Sequence, residues 1–462
     1  MAKFNPSKRA SDLQQRTRTD NKFDEFESKL PDPKSDIFKM TTAVVPSILG
    51  FSSLGGLVKK IGDLNPLGKN VTRDDIVWVL DNTAFIRPSK DEKHGKTGKT
   101  WEAEFVVAVF EGDPNCNVAD IVASVAQTIG LADDAAERET IHERILPFLW
   151  DVRMVRTVRV STNGGQSKLT PTNVNGISSQ VLKVPGAEGG SLIDTKAVVP
   201  AGTGGIRDAK TFYAGSGGWA IISGNPLLSF SFLFLLPLLP PSRFSFLLPS
   251  CLTDKRRLKK KTDIDDTVKI TQTGDPLGIV TETFANEPRP VPGMPELYAE
   301  VKYMLPADTP WFYLSASPYN LYPFLKDFRD RYLPPGTLVL RDFSWKTVSG
   351  LLSALTQGTE EYKTDRMAKI NRWFPGRKLI VVGDSTQSDP EAYGEVYRTI
   401  PGWIKLILIR KVEDIAAVGT EEKNRPERFE DAFRDVPREA WHTFTDPAEC
   451  KAIIESAVSR NQ

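Results

Sequence analysis

Hydrophobic positions change their spacing along the chain, from a pattern of short strands to one in which strands alternate with helices. In the N-terminal half, runs rich in β-branched and aromatic residues predict strands at 78–80, 102–110 and 152–160. Between the second and third runs, apolar residues recur at helical spacing from Ala119 to Leu149. We therefore expect a β-rich N-terminal domain, residues 71–216, that carries a helical insertion.

The second half of the chain has the alternation that is typical of α/β folds. Apolar runs predict buried parallel strands at 311–314, 338–340, 378–382 and 404–409. Helical segments separate them at 295–304, 321–332, 363–373 and 390–397. This order predicts a doubly wound parallel sheet of the Rossmann type, whose ligands bind at the carboxyl ends of its strands.

The first 70 residues differ from both regions. Residues 1–38 are polar and charged, which favours disorder. Residues 41–61 carry an apolar pattern that ends in Lys59 and Lys60, and this segment is interpreted either as an amphipathic helix on a membrane surface or as a helix packed on the neighbouring domain.

Charge and cysteine content narrow the function classes. The chain has 60 Lys and Arg against 59 Asp and Glu, a net charge of +1 that gives no reason to expect nucleic acid as a partner. Its three cysteines are scattered, so neither a disulfide framework nor a zinc site is expected, and a reducing, cytoplasmic setting fits best. The N-terminus lacks the apolar core of a secretory signal, and three histidines make a histidine-based site improbable.

Candidate chemistry begins at Asp263 and Asp265. A carboxylate can attack phosphorus and carry the phosphoryl group, and a second carboxyl group can protonate the leaving oxygen. Taken alone, these residues fit an Asp-rich turn equally well.

Three further stretches follow predicted strands or open predicted helices. Ser315 offers a hydroxyl group to a phosphate oxygen, although it is also a plain turn residue. Lys363 opens a predicted helix and is either a charge-neutralising group or a solvated lysine. Asp384 and Asp389 flank a loop behind Gly383, which suits Mg²⁺, while Asp389 before Pro390 is also a candidate helix cap.

The order of these motifs resembles that of the haloacid-dehalogenase-like superfamily, with Thr267 completing the first motif. A closer resemblance is to the fungal actin-patch phosphatidate phosphatase family, carried by the stretches 147–150, 204–208, 263–269, 313–320, 340–343 and 381–391. The resemblance implies a phosphatase domain over residues 217–447, followed by a C-terminal end at 448–462.

The resemblance also implies a reaction and a set of roles. The enzyme would hydrolyse phosphatidate, and related lipid phosphates, to diacylglycerol and phosphate with Mg²⁺ as cofactor. Asp263 would be the nucleophile and Asp265 the acid and base. Thr267, Ser315 and Lys363 would bind the phosphoryl group. Asp263, Asp265 and Asp384 would bind the metal ion, with Asp389 in support.

A cytoplasmic protein that is peripheral at membranes is expected from the segment 41–61 and from the implied substrate. The family alone implies recruitment to cortical actin patches, with actin-patch or endocytic proteins as partners. Two other functions stay open, which are a phosphatase of a soluble phosphoester and a non-catalytic module that binds phosphatidate.

An abnormal block, Gly224–Thr262, interrupts the first motif. Asp263 should follow a buried strand, but the apolar stretch that would supply it, residues 218–223, lies before the block. From Pro226 to Ser250 every residue except Arg243 is Phe, Leu, Pro or Ser, whose codons are rich in pyrimidines, and a basic run follows. The hypothesis is that the block is translated intron, which would leave this form of the protein poorly active or unstable.

Three other interpretations of the block compete with this hypothesis. A transmembrane helix is excluded by the prolines at 237, 240 and 241. A membrane-inserting loop with a basic anchor for anionic phosphatidate is physically reasonable. A nuclear-import signal is a weak match for the basic run.

Overall fold

A computed structural model describes nine stretches of the chain. They are residues 68–91, 96–112, 117–128, 135–162, 165–224, 267–269, 281–342, 359–413 and 420–461. The expectations for residues 1–67 lie outside the described residues, as do Asp263, Asp265 and all of the block after Gly224.

Ten strands precede residue 217 in the described part of the chain. They are β1 (Lys69–Asn70), β2 (Asp75–Val79), β3 (Asn82–Asp91), β4 (Lys96–Glu111), β5 (Arg156–Thr157), β6 (Arg159–Thr162), β7 (Gly165–Lys168), β8 (Ile177–Lys183), β9 (Leu192–Val198) and β10 (Asp208–Tyr213). β1 pairs with β5, and the others form one sheet in the order β2-β4-β3-β10-β9-β6-β7, with β8 joined to β4.

Two of the three strands predicted in this region are confirmed, as β2 and β4. The prediction of one strand over 152–160 is wrong. Val155 has a φ of 59°, a left-handed conformation that bends the chain, so regular strand begins only at Arg156 and changes its partner between β5 and β6.

The helical insertion is observed as helices α1 (Val118–Thr128) and α2 (Ala135–Leu149). Val122, Ile141 and Ile145 are buried in the same apolar core as Trp78 and Phe110 of β2 and β4. The periodic residues thus form the buried side of the helices, as their spacing predicted.

A second sheet contains six parallel strands. They are β11 (Gly218–Gly224), β12 (Trp311–Pro318), β13 (Thr337–Arg341), β14 (Arg377–Asp384), β15 (Ile404–Arg410) and β16 (Trp441–Phe444), in the order β13-β12-β11-β14-β15-β16. The α-helices that accompany them include α3 (Met294–Met304), α4 (Tyr322–Tyr332), α5 (Thr359–Trp373), α6 (Asp389–Thr399), α7 (Thr420–Lys423), α8 (Pro426–Ala432) and α9 (Cys450–Arg460).

Alternate residues of β11 explain why helices cover both faces of this sheet. Trp219 and Ile221 share a buried core with α3, α4 and α9, whereas Ala220 and Ile222 share another with α5, α6 and α8. Successive side chains of a strand point to opposite faces, so a strand that is apolar throughout needs a helical layer on each side. The α/β fold class is therefore confirmed.

The four predicted strands and four predicted helices of this region are all present, with small changes in their ends. One change matters for the site. Helix α5 begins at Thr359, so Lys363 lies in its second turn and does not open it. Strand β16 and helix α9 were not predicted, and α9 packs beside α3 through Ile454, Ala457 and Val458.

The two sheets share buried contacts. Trp78 of β2 and Trp311 of β12 belong to one apolar core, and Asp81 forms a buried ion pair with Arg329 of α4. Whether residues 71–216 form a separate domain stays a prediction. Within the described stretches, none of the helices has both the length and the apolar character needed to cross a bilayer.

Candidate functional site

The candidate site lies at the carboxyl edge of the six-stranded sheet, where β11 and β14 end side by side. The two strands pair in parallel, with Ser223 opposite Val382, and their last residues are Gly224 and Asp384. A β-carbon at Gly224 would lie only 2.9 Å from Asp389 Oδ2. The end of β11 therefore points into the loop between Asp384 and Asp389.

Four predicted site residues form one buried cluster, which consists of Thr267, Lys363, Asp384 and Asp389. The Thr267 hydroxyl donates to Asp384 Oδ2 at 3.0 Å, and the Asp384 amide donates to Asp389 Oδ2 at 3.1 Å. Lys363 Nζ donates to Asp389 Oδ1 and forms an ion pair with it. Three motifs that are far apart in the chain thus meet at one place.

Burial determines the electrostatics of the cluster. Burial raises the pKa of the Asp389 carboxyl group above its ordinary value, although the Lys363 ammonium opposes this rise. Two carboxyl groups, Asp384 and Asp389, face one lysine here, and a buried carboxylate without a compensating charge is costly. A cation beside Asp384 would balance the second carboxylate.

Asp389 does not act as the helix cap that its position before Pro390 suggested. The residue in the N-cap position of α6 is Ser388, and Asp389 is the first residue of the helix. Its two carboxylate oxygens instead accept from the Asp384 amide and from Lys363. The alternative interpretation of Lys363 as a solvated lysine is wrong as well, because its side chain is only 1% exposed.

Ser315 is placed one strand away from the cluster. It lies within β12, at a register shift between Leu314 and Pro318, and is fully buried. Its hydroxyl donates to Ser317 Oγ at 2.9 Å and accepts from the Ser317 amide at 3.1 Å. In the described part of the chain these bonds stay within β12 and do not join Ser315 to the buried cluster.

Two residues of the 384–389 loop take part in the cluster without having been predicted. The Thr386 amide donates to Asp384 Oδ1 at 2.7 Å, and its hydroxyl donates to the same oxygen. Gln387 Oε1 accepts from Lys363 Nζ at 3.1 Å. Their only sequence signal is that they lie between the two aspartates of the fourth motif.

The buried amide nitrogen of Gln387 is an orphaned donor. Because Lys363 can only donate, the Gln387 oxygen must face it, which leaves Gln387 Nε2 buried without a partner among the described residues. Buried donors are nearly always paired, so this nitrogen requires an acceptor atom beside Lys363. A phosphate oxygen has the required chemistry.

Of the predicted metal ligands Asp263, Asp265 and Asp384, only Asp384 lies within the described residues. No group of three or more His, Cys, Asp or Glu side chains with metal-binding geometry occurs within the residues that the structure describes. Asp263 and Asp265, the other predicted ligands, lie outside those residues. Asp384 provides carboxylate oxygens, which are the ligand type that Mg²⁺ prefers.

Comparison with known proteins finds relatives for the region that contains this site. A family model for the catalytic domain of phosphatidate phosphatase APP1 matches residues 262–411. Phosphatidate phosphatase APP1 of Saccharomyces cerevisiae (strain ATCC 204508 / S288c) is 32% identical over 152 residues, which cover 32% of this chain and 25% of that protein. The match thus spans about a quarter of the length of the curated relative.

The matched region contains the whole buried cluster and Ser315, and it begins at residue 262, the last residue of the abnormal block. Strand β11, which lies before the block, is outside the match although it is central in the sheet. Residues 262–411 of the chain are therefore similar to the catalytic domain of phosphatidate phosphatase APP1.

Proposed function

We propose that the chain is a Mg²⁺-dependent phosphatidate phosphatase with a haloacid-dehalogenase-like catalytic domain. It would hydrolyse phosphatidate and related lipid phosphates at a membrane surface. The observation that carries the proposal is the convergence of Thr267, Lys363, Asp384 and Asp389, from three separate motifs of the matched region, in one buried cluster.

The reaction would pass through an aspartyl-phosphate. A carboxylate oxygen of Asp263 forms a bond to phosphorus while the bond from phosphorus to the diacylglycerol oxygen breaks, and Asp265 gives that oxygen a proton. Asp265 then takes a proton from a water molecule whose oxygen attacks phosphorus, and the bond between phosphorus and the Asp263 oxygen breaks. This step releases inorganic phosphate and restores the Asp263 carboxylate.

The described residues supply what phosphoryl transfer needs most, which is positioning and positive charge. Lys363 is held in place by Asp389 and Gln387, so its ammonium group is fixed beside the site. Gln387 Nε2, which has no partner among the described residues, would add a donor for a phosphate oxygen. Thr267 and Ser315 would contribute hydroxyl groups.

The residues present fit a divalent cation. The buried cluster holds one more carboxylate than ammonium groups, and oxygen ligands suit Mg²⁺. Asp384 would hold the ion together with Asp263 and the main-chain carbonyl of Asp265, and Asp389 would orient this shell through the Asp384 amide. Bound Mg²⁺ would supply charge stabilisation for the phosphoryl oxygens.

The position of Gly224 supports the hypothesis that the block 224–262 is foreign to the motif. If the block were absent, Asp263 would follow Ser223 and take the strand position that Gly224 holds. A β-carbon at that position would lie 2.9 Å from Asp389 Oδ2, so a side chain there would face the cluster and Asp389 would have to shift to admit it. The full chain therefore has a glycine where the family resemblance requires the nucleophile.

Location and partners are extensions of this proposal. A lipid substrate requires the protein to act at a membrane surface, and the proposed side is the cytoplasmic one. The resemblance to the actin-patch family suggests cortical actin patches, with endocytic proteins as partners.

Phosphate release measured with two substrates tests the function. We expect Mg²⁺-dependent release from phosphatidate in detergent micelles, little release from a soluble phosphoester such as p-nitrophenyl phosphate, and none from either with Asp263→Asn. Faster turnover of the soluble ester would favour a soluble-substrate phosphatase. Tight binding of phosphatidate with no release at any Mg²⁺ concentration would instead indicate a binding module.

A further inference from the structure

A segment that follows the matched region, residues 423–428, binds main-chain carbonyl groups of the 384–389 loop. Arg428 of α8 donates through Nη1 to the Ser385 carbonyl and through Nη2 to the Gln387 carbonyl, the latter at 2.6 Å. Lys423 of α7 donates to the Thr386 carbonyl between them, at 2.7 Å. Three consecutive carbonyl groups thus accept from two cations.

Arg428 is itself fixed on both sides. Its guanidinium forms a two-bond ion pair with Glu391, at 2.7 Å from Nε to Oε1 and 3.0 Å from Nη2 to Oε2. Its Nη1 also donates to the Lys423 carbonyl at 2.8 Å. Because a guanidinium is a rigid planar fork, these bonds set its orientation toward the loop.

The geometry of the peptide bond carries this constraint to Asp384. The Ser385 carbonyl and the Thr386 amide belong to one planar trans peptide and point in opposite directions. Arg428 binds the carbonyl side, and the amide side donates to Asp384 Oδ1 at 2.7 Å. The cation therefore fixes and polarises the donor that holds the Asp384 carboxylate.

The same residue acts on the other side of the cluster through Gln387. Arg428 binds the Gln387 carbonyl, while the Gln387 side chain accepts from Lys363. Both the carboxylate proposed to bind metal and the lysine proposed to bind phosphate are thus held by way of one loop.

We infer that Arg428, supported by Lys423, is a positioning residue for the Asp384 carboxylate and the Lys363 ammonium group. The inference rests on the proposed function for its catalytic consequence. It extends the functional unit beyond residue 411, where the family match ends. The Arg428 side chain contacts the main chain of the loop, and it acts on the reaction only through the residues that the loop carries.

Hydrogen–deuterium exchange of the full chain tests the positioning role without any need for activity. With Arg428→Ala, peptides that contain residues 385–388 should exchange at least tenfold faster, while the core strands β12 and β15 should be unchanged. Lys423→Met should give a smaller increase. Arg425→Ala is the matched control, because Arg425 is a nearby exposed arginine at the N-cap of α8. Unchanged exchange in 385–388 would overturn the inference.

Mg²⁺ titration tests the consequence for the site. In Arg428→Ala we expect the Mg²⁺ concentration for half-maximal activity to rise about 10- to 100-fold and kcat to fall, as is usual when a residue behind a metal ligand is lost. The KM for phosphatidate should stay within about twofold, and Arg428→Lys should recover part of kcat, since it keeps the charge without the fork.

The two proposals fail in distinguishable ways. If neither the unsubstituted chain nor the chain that lacks Gly224–Thr262 hydrolyses phosphatidate, the proposed function fails, and loop exchange alone decides the positioning role. If either chain is active and Arg428→Ala in that chain has the same kcat and Mg²⁺ dependence, the proposed function stands and the inference about Arg428 is overturned.

Discussion

Lys363 is held on two sides within the site. It is buried on helix α5, and its ammonium group serves both Asp389 and Gln387. A lysine is seldom buried unless it is paired, so its placement depends on Asp389 as much as Asp389 depends on it.

Replacing Lys363 should separate its structural role from its chemical one. Lys363→Met leaves the buried Asp389 carboxylate without its cation, so we expect the free energy of unfolding to fall by about 3–5 kcal/mol. Lys363→Met with Asp389→Asn should regain most of that stability but no phosphatase activity. Urea denaturation and phosphate release measure the two effects. Full activity in the double variant would contradict the role given to Lys363.

At the residue scale, sequence reasoning predicted side chains that belong to a motif and missed those that act across the chain. Thr267, Lys363, Asp384 and Asp389 were predicted because they stand in a specific order. Arg428 has no local signal, since its partners in the 384–389 loop are main-chain carbonyl groups 41 and 43 positions earlier, and any residue type supplies these. A contact of that kind appears only when the chain is folded.

The strands of the second sheet were readily predicted, because strands buried on both faces are continuous apolar runs. Strand β11 followed from its composition and is the central strand next to β14 and β12. Strand β16 was missed because it has only four residues, Trp441–Phe444, of which His442 and Thr443 are polar. Short edge strands carry too little pattern for the spacing of hydrophobic residues to reveal them.

The amino ends of β11 and β14 are held together by Arg377. This buried side chain donates to the Gly215 carbonyl at 2.8 Å, to the Trp219 carbonyl, and to Asp308 Oδ2 at 2.7 Å. It is the first residue of β14, whereas Asp384 is the last. At about 3.3 Å per residue, the two lie roughly 20 Å apart.

Arg377→Met should therefore reduce stability without changing the chemistry. Leaving its buried partners unmatched should cost about 3 kcal/mol of unfolding free energy, while kcat of the folded protein stays within twofold. Arg434→Met, which removes an exposed ion pair with Asp431, is the control and should cost less than about 0.5 kcal/mol. Guanidinium denaturation measures both variants. A large fall in kcat for Arg377→Met would show that the amino edge of the sheet influences the site.

At the scale of the whole molecule, the contacts between the two sheets were beyond sequence reasoning. Asp81 and Arg329 are 248 positions apart, and Glu104 pairs with Lys369 over 265 positions. Each residue alone is an ordinary surface charge in the sequence. Only the packing of α4 and α5 against the first sheet buries these pairs. Lys369 of the second pair lies on the same helix as Lys363.

The block 224–262 is the whole-molecule feature with the largest functional consequence. In the full chain β11 ends in Gly224 beside Asp389, and the chain next described, Thr267, is again in contact with Asp384. Both ends of the intervening segment thus lie at the same site. A displacement of the nucleophile by about 1 Å is enough to cost on the order of a hundredfold in rate.

The most direct measurement is therefore the Mg²⁺-dependent release of phosphate from phosphatidate by the full chain and by a variant that lacks Gly224–Thr262. Joining Ser223 to Asp263 should raise kcat/KM by about a hundredfold or more, and Asp263→Asn in the shortened chain should abolish it. Equal activity of the full and shortened chains would contradict the account of the block. A shortened, folded chain with no phosphatase activity would contradict the proposed function itself.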